Sequence, residues 1–364
     1  MAEAPPSISV ALCTYNGAAY LGEQLASIAR QTCLPAEVVL SDDGSTDSTL
    51  EIAREFARGA PFPVRISQNE KNLGLAQNFG HTIGLCAGDL IALADQDDVW
   101  HDDKLARIVG AFERDPELGL IFTDADLVGP DLTPLGKRLS DTGRVGEAER
   151  AVLVSADAFA FLLRRNVATG ATMAFRAGLR EVILPIPEDL LTYHDAWIVQ
   201  IAAATGRIAF LPEPLMQYRQ HPGQHTWDFV YVHGARRVLD RAYYRAHLRQ
   251  LVALRNRLAA VGLASDSTAI RLVDSNARHL RRRSSLPASR LARLAPIFFE
   301  LLSGRYGRFS NGLRSAARDL LGDSAGSGTA DLPADSAGSG TADLPADSAG
   351  SGTADLPADS ADGA

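Results

Sequence analysis

The sequence predicts an α/β protein: a mixed, mostly parallel central sheet flanked by helices, with a helical extension and a repetitive tail after it. Three observations predict it. Short apolar runs of strand length alternate with helix-length stretches through the first third of the chain. Three of the first four strand-like runs end in polar clusters, Thr14–Asn16, Ser41–Asp43 and Asp95–Asp98. From about Val230 onward strand residues thin out and Arg accumulates.

Ile8–Leu12 is apolar and β-branched, and Thr14-Tyr15-Asn16-Gly17 breaks it. Leu21, Leu25 and Ile28 have helical spacing, which predicts a helix over Tyr20–Arg30. Glu37–Leu40 is a second strand, and the Ser/Asp/Gly/Thr cluster after it forms a loop and cap for a helix over Thr49–Arg58. Val64–Ile66 is a third strand, Asn72–Gly74 a turn and Leu75–Cys86 a helix. Leu90–Ala94 is a fourth strand, followed by a helix over Lys104–Glu113 and a strand over Leu118–Phe122 that ends in Asp124-Ala125-Asp126. Beyond Asp157 the pattern loosens into a helix at Phe159–Arg164, a strand at Thr172–Phe175, a helix at Thr192–Ala204, a strand at Ile208–Leu211 and an extended Met216–His221. In a parallel sheet the three polar strand ends share one edge, where open α/β sheets bind ligands.

The chain's 364 residues are ample for a large core and a second unit. Its three cysteines, Cys13, Cys33 and Cys86, form no metal-ligand spacing and no disulfide framework, which points to a reducing, cytoplasmic setting. The N-terminus lacks a signal-like apolar core, and no apolar run reaches membrane-spanning length. The net charge of −8 is carried by the tail: from Asp323 onward there are eight Asp and no Lys or Arg. There DSAGSGTADLPA occurs three times, too polar to bury a core, and it reads as a disordered spacer. Between Arg236 and Asp319 stand eighteen Arg against five acids, interleaved with Leu291, Leu294, Ile297, Phe298, Phe299, Leu301 and Leu302. That segment is either a solvated helical face or an amphipathic attachment to an anionic membrane, peripheral to its inner face. It contains no nucleic-acid module, so nucleic acid is not an expected partner.

LIALADQDDVW, residues 90–100, concentrates the chemistry. Three carboxylates in four positions repel one another unless a cation sits among them, and Mg²⁺ characteristically bridges carboxylates to phosphates. The same residues also suit a polar turn with an Asp cap.

ISVALCTYNG, VVLSDDGSTDST, NEKNLGLAQNFG and LIALADQDDVW, in that order, resemble the nucleotide-binding half of a family 2 glycosyltransferase of the GT-A fold. NVATGATMAF resembles that family's acceptor-side loop, which contains Gly170; YHDAW resembles its catalytic-base segment and YRQHPGQHT its closing loop over the diphosphate. DQDDVW with HDAW and YRQH is most similar to its rhamnosyltransferase-like branch.

The resemblance implies an inverting, metal-dependent transfer of a sugar from a dTDP- or UDP-linked donor, dTDP-rhamnose being favoured. The acceptor would be a hydroxyl of a cell-surface polysaccharide or a lipid-linked glycan. It further implies that Asp97, ahead of Asp95, ligates Mg²⁺ or Mn²⁺, that His221 and Arg219 complete the shell or meet the diphosphate, and that Asp98 contacts the donor sugar or orients the metal shell. Asp42 would accept from the base imide, and Asp43 would serve the ribose or hold its loop. Thr14, Tyr15 and Asn16 would wall the base pocket, with Asn72 and Gly74 turning near the ribose. Asp195 matches the family base, with His194 its rival; Trp197 is either a sugar platform or a core aromatic. The implied domains are 1–228 for the transferase, 229–322 for the Arg-rich helices and 323–364 for the repeats. A sugar nucleotidyltransferase would open with a basic Gly-rich loop where CTYNGAAYLGEQ stands, and a Rossmann oxidoreductase with GxGxxG, which is absent. A non-catalytic nucleotide-sugar binding module is the remaining rival.

Overall fold

The computed structural model describes residues 4–142, 145–188, 190, 193–224 and 241–321. The acidic repeats and His225 of the closing loop lie outside the described residues.

The first half alternates as expected: β1 (Ile8–Thr14), α1 (Leu21–Ala29), β2 (Glu37–Asp42), α2 (Thr49–Gly59), β3 (Val64–Gln68), α3 (Leu75–Leu85) and β4 (Leu90–Ala94). Next come β5 (Val99–Trp100), α4 (Lys104–Arg114), β6 (Leu118–Val128), β7 (Pro134–Arg138), α5 (Glu147–Leu153), α6 (Ala158–Arg164), β8 (Met173–Arg176), α7 (Arg180–Ile183), α8 (His194–Thr205) and β9 (Arg207–Arg219). Helices α9 (Arg241–Ala260), α10 (Thr268–Ser284), α11 (Arg290–Leu302), α12 (Arg305–Phe309) and α13 (Leu313–Leu321) follow.

Among the described residues the nine strands form one sheet in the order β3-β2-β1-β4-β8-β6-β9-β5, with β7 beside β6. β1 pairs in parallel with β2 and β4, β2 with β3, and β6 with β9. These are the long ladders; the antiparallel ones, such as β8 on β4 and β6, cover only a few residues. β1, β2 and β4 are buried along their whole length, so they read as continuous apolar runs rather than alternating ones.

Two strand assignments differ from expectation. β6 does not stop before Asp124; it runs on through Asp126, which pairs with Gln217 of β9 and Arg138 of β7. Asp is a poor strand former, yet neighbours on both sides satisfy the backbone here. Ile208–Leu211 and the extended Met216–His221 are largely one strand, β9, whose register against β6 shifts between Thr123 and Asp124.

One core lies on each side of the sheet. The first joins Phe79, Phe122, Phe175 and Trp197 to Leu251, Leu254 and Leu258 of α9 and Ile270, Val273 and Leu280 of α10. The Arg-rich region therefore begins inside the main core. The second is built by α1, α4 and the opposite faces of β1, β2 and β4.

Candidate active site

The register sets Thr14 beside Asp42 and Leu12 beside Ala94, so the polar ends of β1, β2 and β4 open on one edge. Thr14 Oγ1 donates to Asp42 Oδ1 at 2.9 Å, and the Ser45 amide donates to Asp42 Oδ2 at 2.9 Å. Asn16, at φ 47°, accepts from the Thr46 amide at 2.9 Å and so ties the first loop to the second. Asn tolerates this left-handed conformation better than most residues. Gln96 clamps the backbone of Tyr15, accepting from its amide at 2.9 Å and donating to its carbonyl at 3.0 Å, while the side chain stays 46% exposed. Asp42 is fully buried, and both of its oxygens accept hydrogen bonds from the loop.

Asp43 accepts from Asn69 Nδ2 at 2.8 Å, the Leu73 amide at 2.7 Å and the Gly74 amide at 2.9 Å. Of its two expected roles, these contacts are those of a loop anchor. Asn72 Nδ2 donates to the Asp43 carbonyl at 3.2 Å, and Gly74 turns the chain at φ 79°, where a side chain would be strained.

β4 delivers Asp95 to the same edge. Asp95, Asp97 and Asp98 each bring an oxygen within 4.8 Å of the others. Burial pushes the Asp95 carboxyl up to about 7, and the charges of Asp97 and Asp195 add to that; burial likewise raises Asp98 well above the usual carboxylate range. Asp98 Oδ1 accepts from the Arg219 amide at 3.1 Å, whereas its Oδ2 is buried with no partner among the described residues. His221 Nε2 lies 2.9 Å from Asp97 Oδ2. An orphaned buried carboxylate oxygen in a cluster of carboxylates and an imidazole fits a hard divalent cation.

β5 explains how residues more than a hundred positions apart meet here. Val99 and Trp100 pair with Gln217 and Met216, which draws the end of β9 onto the acidic loop. Arg219 arrives this way, but it does not face solvent. Its Nε donates to the Asp97 carbonyl at 2.7 Å, and its other nitrogens reach the Pro130 carbonyl and Glu23. At 1% exposure Arg219 braces the acidic loop through these contacts.

Lys104 is the residue that sequence reasoning missed. It is fully buried, donates from Nζ to the Ala171 carbonyl at 2.9 Å and lies 4.0 Å from the Trp100 ring centroid. Burial lowers its ammonium to about 7, against the upward pull of Asp98 and Asp95. Its signal was present: Lys104, Ile108 and Ala111 share the inward face of α4.

On the far side of the cluster α8 opens with His194 and Asp195. Asp195 is 8% exposed, and Asn166 Nδ2 donates to its Oδ1 at 3.0 Å. Its influence on Asp95 brings it electrostatically into the same site. His194 stacks on Phe79 at 4.1 Å, and neither ring nitrogen has a partner among the described residues. Burial lowers its pKa to about 3, so the ring is neutral. Gly170 makes room for it: a Cβ there would stand 2.7 Å from His194 Nε2. Trp197 is 1% exposed and its indole donates to the Ile183 carbonyl at 2.9 Å; of its two expected roles, these contacts are those of a core aromatic.

Residues 9–168 match the family model described as Glycosyl transferase family 2. An uncharacterized glycosyltransferase of Nostoc sp. is 30% identical over 221 residues, 59% of this chain and 65% of that protein. The dTDP-rhamnosyl transferase RfbG of Shigella flexneri is 37% identical over 102 residues, 27% of this chain and 35% of that one. The chain thus spans less than two thirds of the length of either relative. Among solved structures, S. aureus TarS 1-349 in complex with UDP-GlcNAc superposes with a TM-score of 0.52 at 18% identity, covering 85% of this chain and 90% of that one. That likeness establishes a shared fold, the GT-A-like mixed sheet flanked by helices.

Proposed function

We propose that the chain is an inverting, metal-dependent glycosyltransferase that moves a sugar from a nucleotide-diphosphate donor to a glycan hydroxyl. The observation that carries this reading is the acidic edge: three clustered carboxylates, one with an orphaned oxygen, joined by His221 and facing Asp195. Asp97, Asp95 and His221 would hold Mg²⁺ or Mn²⁺, and that cation supplies positive charge to the diphosphate as the sugar–phosphate bond breaks. Asp98 serves the donor side, and the exposed Tyr15 ring offers a face to the base.

Asp195 is the base. Its carboxylate takes the proton of the acceptor hydroxyl while that oxygen attacks the anomeric carbon from the side opposite the leaving group. The sugar–phosphate electron pair leaves on the nucleotide diphosphate, and the proton remains on Asp195. Asn166 orients the carboxylate through the 3.0 Å hydrogen bond. His194, kept neutral, lines the acceptor side beside Gly170.

The favoured donor is dTDP-L-rhamnose, a choice supported by the motif resemblance and by the RfbG likeness. The acceptor is a growing cell-surface polysaccharide or a glycolipid, reached at the cytoplasmic side in peripheral contact with an anionic membrane. No helix among the described residues is long and apolar enough to cross a membrane. Residues 1–228 form the transferase region, 229–322 the helical extension and 323–364 a spacer.

Asp195→Asn tests the assignment. It lowers turnover by about 10²–10⁴-fold, the usual contribution of a positioned base, and leaves nucleotide-sugar binding intact. Unchanged turnover would remove Asp195 from the mechanism and favour the binding-module reading.

A further inference from the structure

Helix α11 is built inside out for a surface helix. Its inward positions are Arg293, Ile297 and Glu300, each 5% exposed or less. Its outward positions are apolar: Leu291 is 80% exposed, Leu294 49%, Phe298 57%, Phe299 63% and Leu302 68%. Positions 291, 294, 298 and 302 follow the i, i+3, i+7, i+11 spacing of one helical stripe. Leu313 and Leu321 of α13 are likewise exposed, at 75% and 63%.

The stripe is not needed to hold these helices together. A polar network does that. Glu300 accepts from Arg305 and meets His279 at 2.9 Å; Arg283 binds Asp319 through two nitrogens; Arg293 donates to the Pro287 and Asp319 carbonyls. Among the described residues Ile297, Tyr306 and Ala316 form a small buried apolar cluster beneath, with Leu286, Leu301 and Leu320 packed against it. Five large apolar side chains held in water without a structural duty mark an interaction face.

Charge identifies the occupant. Residues 281–321 contain nine Arg and two acids, Glu300 and Asp319. Both acids are already paired inside the network. What remains at the surface is basic: Arg281, Arg282, Arg308, Arg314 and Arg318 are all exposed. A second copy of this chain would set these cations against their own kind. An anionic bilayer satisfies both halves of the pattern, the acyl boundary taking the stripe and the headgroups the guanidiniums. α11 has 13 residues, which suits a helix lying in the interface rather than one spanning it.

We infer that the exposed face of α11, with Leu313 and the arginines of α13, is an anionic-membrane docking surface. It specifies the membrane partner of the proposed function but rests on surface geometry, not on the transfer chemistry.

The test is sedimentation of the full chain with vesicles of phosphatidylcholine mixed with phosphatidylglycerol, and with vesicles of phosphatidylcholine alone. No donor or acceptor is added, so failure here leaves the transferase reading standing. The chain binds the anionic vesicles and not the neutral ones, and added salt weakens binding. Phe298→Ser/Phe299→Ser weakens it by at least about tenfold. Arg314→Gln/Arg318→Gln, which leaves the apolar stripe untouched, weakens it by roughly 30-fold. Phe298→Trp keeps the bulk, binds like the parent and shows blue-shifted emission on anionic vesicles. Absence of vesicle binding, equal binding by parent and both double variants, or an emission maximum unmoved by vesicles overturns the inference. So does self-association of the parent that the Phe298/Phe299 variant abolishes, which would assign the face to a second copy.

Discussion

Lys104→Met keeps the length of the side chain and removes its charge. The ammonium lies 2.9 Å from the Ala171 carbonyl and 4.0 Å from the Trp100 ring centroid, fully out of water. A hydrogen bond involving a charged group contributes about 1.5–3 kcal/mol, and a desolvated cation–π contact about 2 kcal/mol. Losing both costs about 3–5 kcal/mol, the range expected when one partner of a buried charged group is removed. In a folded unit of this size that lowers Tm by roughly 6–10 °C. A second effect follows from what Lys104 faces. It is the internal positive charge that holds down the raised pKa values of Asp95 and Asp98. A divalent cation bound among these carboxylates replaces that charge, so Mn²⁺ raises the Tm of the variant by more than it raises the parent's. Thermal melts of both proteins in EDTA and in Mn²⁺, at about pH 6 where most of the Lys104 ammonium is still charged, read the two effects separately. A variant that melts with the parent in EDTA, or gains no more from Mn²⁺, refutes the counter-ion role.

Gly170→Ala pushes a methyl to 2.7 Å from the Nε2 edge of His194, whose ring is stacked on Phe79. The variant loses about 1–3 kcal/mol in denaturant melts, and adding His194→Ser recovers part of it; an unchanged midpoint would show that the ring moves freely. The depressed pKa of His194 also makes stability pH-dependent. The unfolded chain binds this proton below about 6.5 and the folded chain only near 3. Stability from this group is therefore complete above pH 6.5 and declines as pH falls, by about 2 kcal/mol at pH 5. Denaturant midpoints of the parent and of His194→Gln between pH 5 and 7 check this: the parent's slope exceeds the variant's by one proton, and equal slopes contradict it.

The sheet edge was legible in the sequence because two signals coincide there. β1, β2 and β4 are buried on both faces and so appear as short unbroken apolar runs, and each run stops where the chain turns polar. What the loops do was less legible. Asp42, Asp43 and Arg219 carry the charges a nucleotide site needs, and within the protein they meet Ser45, Asn69 and Glu23. Arg219 and Glu23 are far apart in sequence and nothing local announces their pairing. Trp197 lies on a helix whose residues 194–202 are all buried, so no periodicity marks one face as the solvent side. Lys104 was passed over because a Lys beside an acidic turn reads as a solvated helix end. In α11 the apolar residues were visible, but only the structure separates inward Ile297 from outward Leu291, Leu294, Phe298, Phe299 and Leu302. The sequence pattern also could not show that α9 and α10 close the main core.

The central claim is that the acidic edge binds a nucleotide-diphosphate sugar through a divalent cation. Calorimetric titration of dTDP-rhamnose and a panel of dTDP- and UDP-sugars, in Mn²⁺, Mg²⁺ or EDTA, tests it most directly, with Asp97→Asn alongside. The account predicts that at least one of these donors binds the parent in the presence of metal. EDTA or the Asp97→Asn substitution then weakens that binding by tenfold or more, a loss of about 1.4 kcal/mol or more. If no nucleotide-sugar binds with or without metal, the assignment of this edge as a donor site is wrong.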